Sequence, residues 1–223
     1  MTAGYSAAQV RAAEAPLLAA GVPLMARAAA GLAAVIRELA PERVLLLVGS
    51  GDNGGDALFA GAELARDGVP VQILCTGDRV HEAGLSRARD AGAVLVDSVP
   101  DELDVLVDGI LGIGAGAGTA LRGRARDAVG AVLARPKRPR VVAVDLPSGV
   151  NPDDGRATDA VVLPAETTVT FGAVKAGLLL GRGAELAGQV RLIEIGLDLT
   201  GITPLVEDAT GPAQKTAAQK RAV

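Results

Sequence analysis

Apolar and polar positions follow two rhythms along this chain, and the switches between them mark its elements. Ser6-Ala7-Ala8-Gln9 reads as a capping box that opens an alanine-rich helix, interrupted at Gly21-Val22-Pro23. Over 24–39, the residues Leu24, Met25, Ala28, Leu32, Val35 and Ile36 fall near one face of a second helix. Residues 43–48 form a short apolar run ending in glycines, as a buried parallel strand does. The cycle then repeats: helix over 55–67, strand over 69–75, helix over 81–91, strands over 93–97 and 105–111, helix over 119–133, strand over 141–146. Beyond that, 167–171 alternates and 190–195 is apolar with little helix between. Both are expected as later strands at one side of the sheet.

Strands alternating with helices predict an α/β sandwich with a mainly parallel sheet. The 223 residues suit one compact domain. We place it at 1–206, with the polar, Ala/Gln/Lys-rich stretch 207–223 as a disordered tail. There is no internal repeat.

Composition narrows the functional classes. Only Tyr5, Phe59 and Phe171 are aromatic, so no platform exists for stacking single-stranded bases. The net charge is -4, against the basic face that phosphate-backbone binding needs, and nucleic acid is not expected as a partner. The one basic cluster, RPKRPR over 135–140, holds two prolines and reads as a solvated loop. A single Cys75 and a single His81 build neither an internal disulfide nor a zinc cage, and they disfavour Cys/His and Ser/His hydrolases. The N-terminus lacks the order of a signal peptide, and no run approaches about 18 apolar residues. A cytoplasmic protein away from the membrane is the expectation.

In α/β folds, ligands bind beyond the carboxyl ends of the strands. Three of those ends carry unusual chemistry. The first is Gly49-Ser50-Gly51-Asp52-Asn53-Gly54-Gly55-Asp56, which contains G-x-G-x-x-G, where backbone N–H groups approach a phosphate. Asp52 and Asp56 sit poorly with a pyrophosphate there, and no ribose-binding acid immediately follows the next strand. The second is Asp108 inside an apolar strand, followed by Gly112-Ile113-Gly114-Ala115-Gly116-Ala117-Gly118. A buried acid is costly unless paired or bound to a cation. The third is Asp145-Leu146-Pro147-Ser148, whose acid closes a strand and suits acid/base work if burial lifts its pKa. Asn53, Asp108 and Ser148 supply an amide oxygen, one carboxylate and a hydroxyl, a donor set closer to a monovalent ion than to Mg²⁺ or Ca²⁺.

The segments VGSGDNGGDAL, VDGILGIG, VAVDLPSGV and TVTFGAVKAGLL, in that order, resemble the YjeF N-terminal domain family of NAD(P)H-hydrate epimerases. LMARAAAGLA resembles that family's first long helix, and the likeness runs over about 5–197. The resemblance implies a Rossmann-like three-layer α/β/α sandwich, usually a homodimer with one K⁺ per subunit. It implies epimerisation at C6 of the nicotinamide ring in NADHX and NADPHX, repairing hydrated cofactors together with a separate or fused dehydratase. Carried over by motif, Asp52, Asn53, Gly54, Gly55 and Asp56, with Gly112 to Gly118, would line the substrate. Asp145 would be catalytic at the reacting ring, and Asn53, Asp108 and Ser148 would hold K⁺. Lys175 would either contact the substrate's phosphates or lie on the surface. Two positions depart from the family: Asp52 replaces a usual asparagine, and Ala26 a common glutamate. The chain is too short for the dehydratase domain of longer relatives. The competing readings are an NAD(P)-dependent oxidoreductase using the G-x-G-x-x-G loop and a non-catalytic dimeric scaffold.

Overall fold

The computed structural model describes residues 2–115, 120–208 and 214–217. In chain order the elements are β1 (Thr2–Tyr5), α1 (Ala7–Ala19), α2 (Leu24–Glu38), β2 (Val44–Val48), α3 (Asp52–Arg66), β3 (Val71–Cys75), α4 (Glu82–Asp90) and β4 (Val94–Leu95). They continue with β5 (Val105–Gly109), α5 (Gly123–Leu133), β6 (Arg140–Val144), β7 (Thr167–Phe171), β8 (Val174–Lys175), α6 (Gly181–Leu186), β9 (Gln189–Glu194), β10 (Val206–Asp208) and β11 (Gln214–Ala217). The main sheet has the order β11-β9-β7-β6-β5-β2-β3-β4, and every neighbouring pair is parallel.

Both faces of the sheet are covered, which is why the central strands β2, β5 and β6 read as nearly continuous apolar runs. In β2, Val44, Leu46 and Val48 face the layer formed by α2 and α3. Leu45 and Leu47 face Val129 and Val132 of α5. The expected three-layer α/β/α architecture follows from that alternation. No single helix among the described residues is long and apolar enough to cross a membrane.

At α1 the capping box forms as read: Ser6 Oγ accepts from Gln9 N at 3.2 Å, and Gln9 Oε1 accepts from Ser6 N at 2.9 Å. Elsewhere the structure corrects the sequence reading. Helix α3 starts at Asp52 rather than 55, because the glycine pair enters its first turn. Helix α5 starts at Gly123 rather than 119. A second sheet, β10-β1-β8, had no periodicity to announce it, and α6 is too short to show a stripe. The stretch read as a disordered tail takes part in two strands, Val206–Asp208, which crosses its start, and Gln214–Ala217, added through backbone pairing to β1 and β9. Edge pairing of this kind needs no hydrophobic pattern. The rest of that tail lies outside the described residues.

The chain reverses its direction of travel across the sheet between β2 and β5. The loops after these strands therefore part over the sheet's carboxyl edge, where ligands bind in such folds.

Candidate active site

At that reversal lies a cleft of about 660 Å³. Its floor is where the two loops touch: Gly49 N donates to Gly109 O at 3.0 Å, and a Cβ on Gly49 would fall 1.9 Å from Ile110 O. Only glycine permits that approach. Of the residues expected to line the substrate, Asp52, Asn53, Gly112, Ile113 and Gly114 form its walls. Gly54, Gly55 and Asp56 do not, since they are buried in the first turns of α3, and neither does Asp145, buried beyond the end of β6. Ala115 ends a short 3₁₀ turn, while Gly116, Ala117 and Gly118 lie outside the described residues. Arg79 and Arg122, absent from the sequence reading, also line the cleft. Nothing in the neighbouring sequence singles them out, and only the fold brings both to one cleft.

Asp108, Ser148 and Asn53 meet beside the cleft. Ser148 donates to Asp108 twice, from Oγ to Oδ1 at 2.6 Å and from N to Oδ2 at 2.9 Å. Leu111 N donates to Ser148 Oγ at 2.9 Å, and Asn53 Nδ2 donates to Leu111 O at 3.2 Å and to Val144 O at 2.5 Å. Asp108 is 1% exposed; burial raises its pKa, and hydrogen bonds from Ser148 and Ile110 oppose that rise. Gly112 closes the cluster, for a Cβ there would sit 2.2 Å from Asn53 Oδ1. Amide, carbonyl and hydroxyl oxygens thus surround a single carboxylate. Among the described residues, no group of three or more His, Cys, Asp or Glu side chains is arranged to hold a metal ion. That donor chemistry fits a hard monovalent cation.

The Val144 carbonyl leads directly to Asp145, which leaves β6 at φ +69° and is 4% exposed. Asp residues enter this left-handed region more readily than most. Its Oδ1 accepts from Thr170 Oγ1 at 3.0 Å and lies 2.5 Å from Lys175 Nζ. Lys175 is 1% exposed and also donates to Phe171 O at 2.8 Å and Thr170 Oγ1 at 3.2 Å. It therefore does not lie on the surface. Pairing of β8 with β1, Tyr5 opposite Lys175, carries it inward. The sequence did not foretell this ion pair.

Two further acids approach the pair. Asp56 is buried, and its pKa is pushed well above the usual carboxylate range by burial first, then by repulsion from Asp145 and Asp52; Lys175 opposes the shift. Glu14 arrives on α1, whose Arg11 Nη1 donates to Ile113 O at 2.9 Å and so ties that helix to the glycine loop. Burial raises Glu14 as well, with Lys175 opposing and Asp145 and Asp52 adding to it. Glu14 was missed in the sequence; its signal was an acid next to Val10 and Ala13, which form the buried side of α1.

Residues 21–177 match the family described as YjeF-related protein N-terminus. An NAD(P)H-hydrate epimerase of Clavibacter michiganensis subsp. michiganensis is 54% identical over 92% of this chain and 96% of its own. One of Microbacterium testaceum is 55% identical over 88% of this chain and 79% of its own. A bifunctional NAD(P)H-hydrate repair enzyme of Mycobacterium tuberculosis is 43% identical over 95% of this chain, which spans only 45% of that protein. The crystal structure of yeast ynu0 superposes with a TM-score of 0.67 over 83% of this chain and 88% of its own, at 17% identity, which speaks for the fold alone. The chain belongs to the YjeF-related N-terminal domain family.

Proposed function

We propose that the protein is an NAD(P)H-hydrate epimerase, interconverting the R and S forms of NADHX and NADPHX at C6 of the nicotinamide ring. The observation that carries this reading is the 54% identity to a named epimerase along nearly the whole of both chains. The geometry supplies what the reaction needs. Configuration at C6 is lost when the hydroxyl leaves and regained when water returns, so proton donors and acceptors are required and a redox centre is not. Asp145, held by Lys175 at the carboxyl end of β6, is the group we place at the ring. The cleft would take the rest of the dinucleotide, with Arg79 and Arg122 toward its phosphates.

Asn53, Asp108 and Ser148 would hold K⁺, whose chemistry when bound is to balance the Asp108 carboxylate. The residues themselves order the loops after β5 and β6 through the hydrogen bonds described above. A homodimer in the cytoplasm, working beside an S-specific dehydratase, completes the reading. The relatives in which such a chain forms less than half of a bifunctional repair enzyme support the last element.

The test is to incubate purified protein with an epimer mixture whose S form a dehydratase has exhausted. Renewed loss of the R form, followed by chromatography, is expected. An R pool that stays at its uncatalysed rate refutes the proposal. Bound NAD⁺ with hydride transfer would favour the oxidoreductase reading instead.

A further inference from the structure

We infer that Asp56 is a second catalytic carboxyl of this site, the acid that protonates the departing C6 hydroxyl while Asp145 serves as the base. This rests on the epimerase reading and assigns within it a division of labour.

Asp56 is 6% exposed; no group among the described residues donates a hydrogen bond to its carboxyl, whose oxygens are not sealed from water. Burial without a hydrogen-bond donor disfavours the charged form, and the remaining opening to water lets the group pass a proton out. Asp108, equally buried, is held by Ser148 and Ile110. Asp56 lies one helical turn along α3 from Asp52, on the same side, which places both acids toward the site.

The charges around Asp56 come from four elements. Asp145 beyond β6, Asp52 on α3 and Glu14 on α1 disfavour its ionisation. Lys175 on β8 favours it, yet that ammonium is already committed to Asp145. Helices α2 and α4 also pack on α3, and several of their charges are engaged elsewhere. Arg27 donates to Ile195 O, Arg37 pairs with Glu63 and Asp67 toward the other end of α3, and Arg87 lies over Phe59. His81 Nδ1 accepts from Gly84 N. One carboxyl is thus paired with a cation and the other has none, the separation that assigns base and acid in two-carboxyl sites.

The step balances. Asp56 gives its proton to the C6 hydroxyl, and the C6–O bond breaks with its electron pair leaving on water. The ring-nitrogen lone pair forms the N1=C6 bond. Water then adds to the opposite face, the N1=C6 electrons return to nitrogen, and Asp145 takes the proton that water releases. Return of that proton from Asp145 to Asp56 through water restores both groups.

Two measurements on the full chain decide it. The carboxyl carbon of Asp56, assigned by its absence in Asp56→Asn, is expected to report a protonated acid at pH 7 in carbon-13 NMR of the unmutated protein; titration in the ordinary carboxylate range overturns the inference. Asp56→Asn is expected to lower kcat by about 100-fold or more, and the alkaline limb of the wild-type pH profile should vanish with it. KM should stay within about threefold. Wild-type turnover in Asp56→Asn overturns the inference and leaves the epimerase reading standing, whereas an unmutated protein that fails to interconvert the epimers overturns both.

Discussion

Lys175 Nζ stands 2.5 Å from Asp145 Oδ1, and the two side chains are 2% and 5% exposed. A pair this deeply buried is held by geometry more than by net attraction, because desolvation offsets much of the Coulomb gain. Removing one partner leaves the other without compensation. Lys175→Met is expected to cost about 3–5 kcal/mol in urea unfolding. The double variant Lys175→Met/Asp145→Asn should regain part of that stability and no turnover. A single variant as stable as the unmutated protein would show that the pair is not formed.

The backbone at Asp145 selects the informative substitution there. At φ +69° a residue without a short polar side chain is strained. Asp145→Ala should therefore be less stable than Asp145→Asn by about 1 kcal/mol, while both lose epimerisation. Asp145→Asn turning over at the normal rate would remove this residue from the chemistry.

Asp56 should make stability depend on pH. The folded protein holds this proton more tightly than the unfolded chain, whose carboxyl titrates near about 4. Between those two values the folded state binds more protons, so stability falls as pH rises from about 4 toward the raised folded value. Asp56→Asn abolishes that slope. Its melting temperature relative to the unmutated protein should be higher at pH 8 than at pH 4. Glu14, which has the same sign, is present in both proteins and cancels.

Gly112 bears on the proposed cation. An added methyl would meet Asn53 Oδ1 at 2.2 Å and force the amide off the Leu111 and Val144 carbonyls. Gly112→Ala is expected to raise the KCl concentration giving half-maximal epimerisation, with a loss of stability of about 1–3 kcal/mol from overpacking. Equal activity of the unmutated protein in KCl and in salt-free buffer would sink the potassium assignment.

Arg122 and Arg79 are expected to act on binding alone. Arg122→Ala or Arg79→Ala should raise KM for NADPHX and leave kcat unchanged, the pattern of contacts equal in ground and transition states. A fall in kcat at constant KM would place them in the chemistry instead.

The centre of the main sheet was legible because β2, β5 and β6 are apolar on both faces and stop at a glycine or an acid, a pattern local to a few residues. The strand-end acids Asp52, Asp108 and Asp145 could be singled out for the same reason, as charges where apolar runs stop. The short strands of the second sheet were not legible, because β1, β8 and β10 are defined by their partners' backbone. Helix α3 begins inside what looked like a loop, since glycines give no local sign of helix.

Sequence alone therefore determined the fold class and the strand ends that carry the candidate chemistry. Only the tertiary structure decided which charges face one another. Lys175 became the partner of Asp145, while Asp56 and Glu14 were set beside that pair. Burial and Coulomb interaction depend on distance and desolvation in space, and neither is encoded in the spacing of residues along the chain.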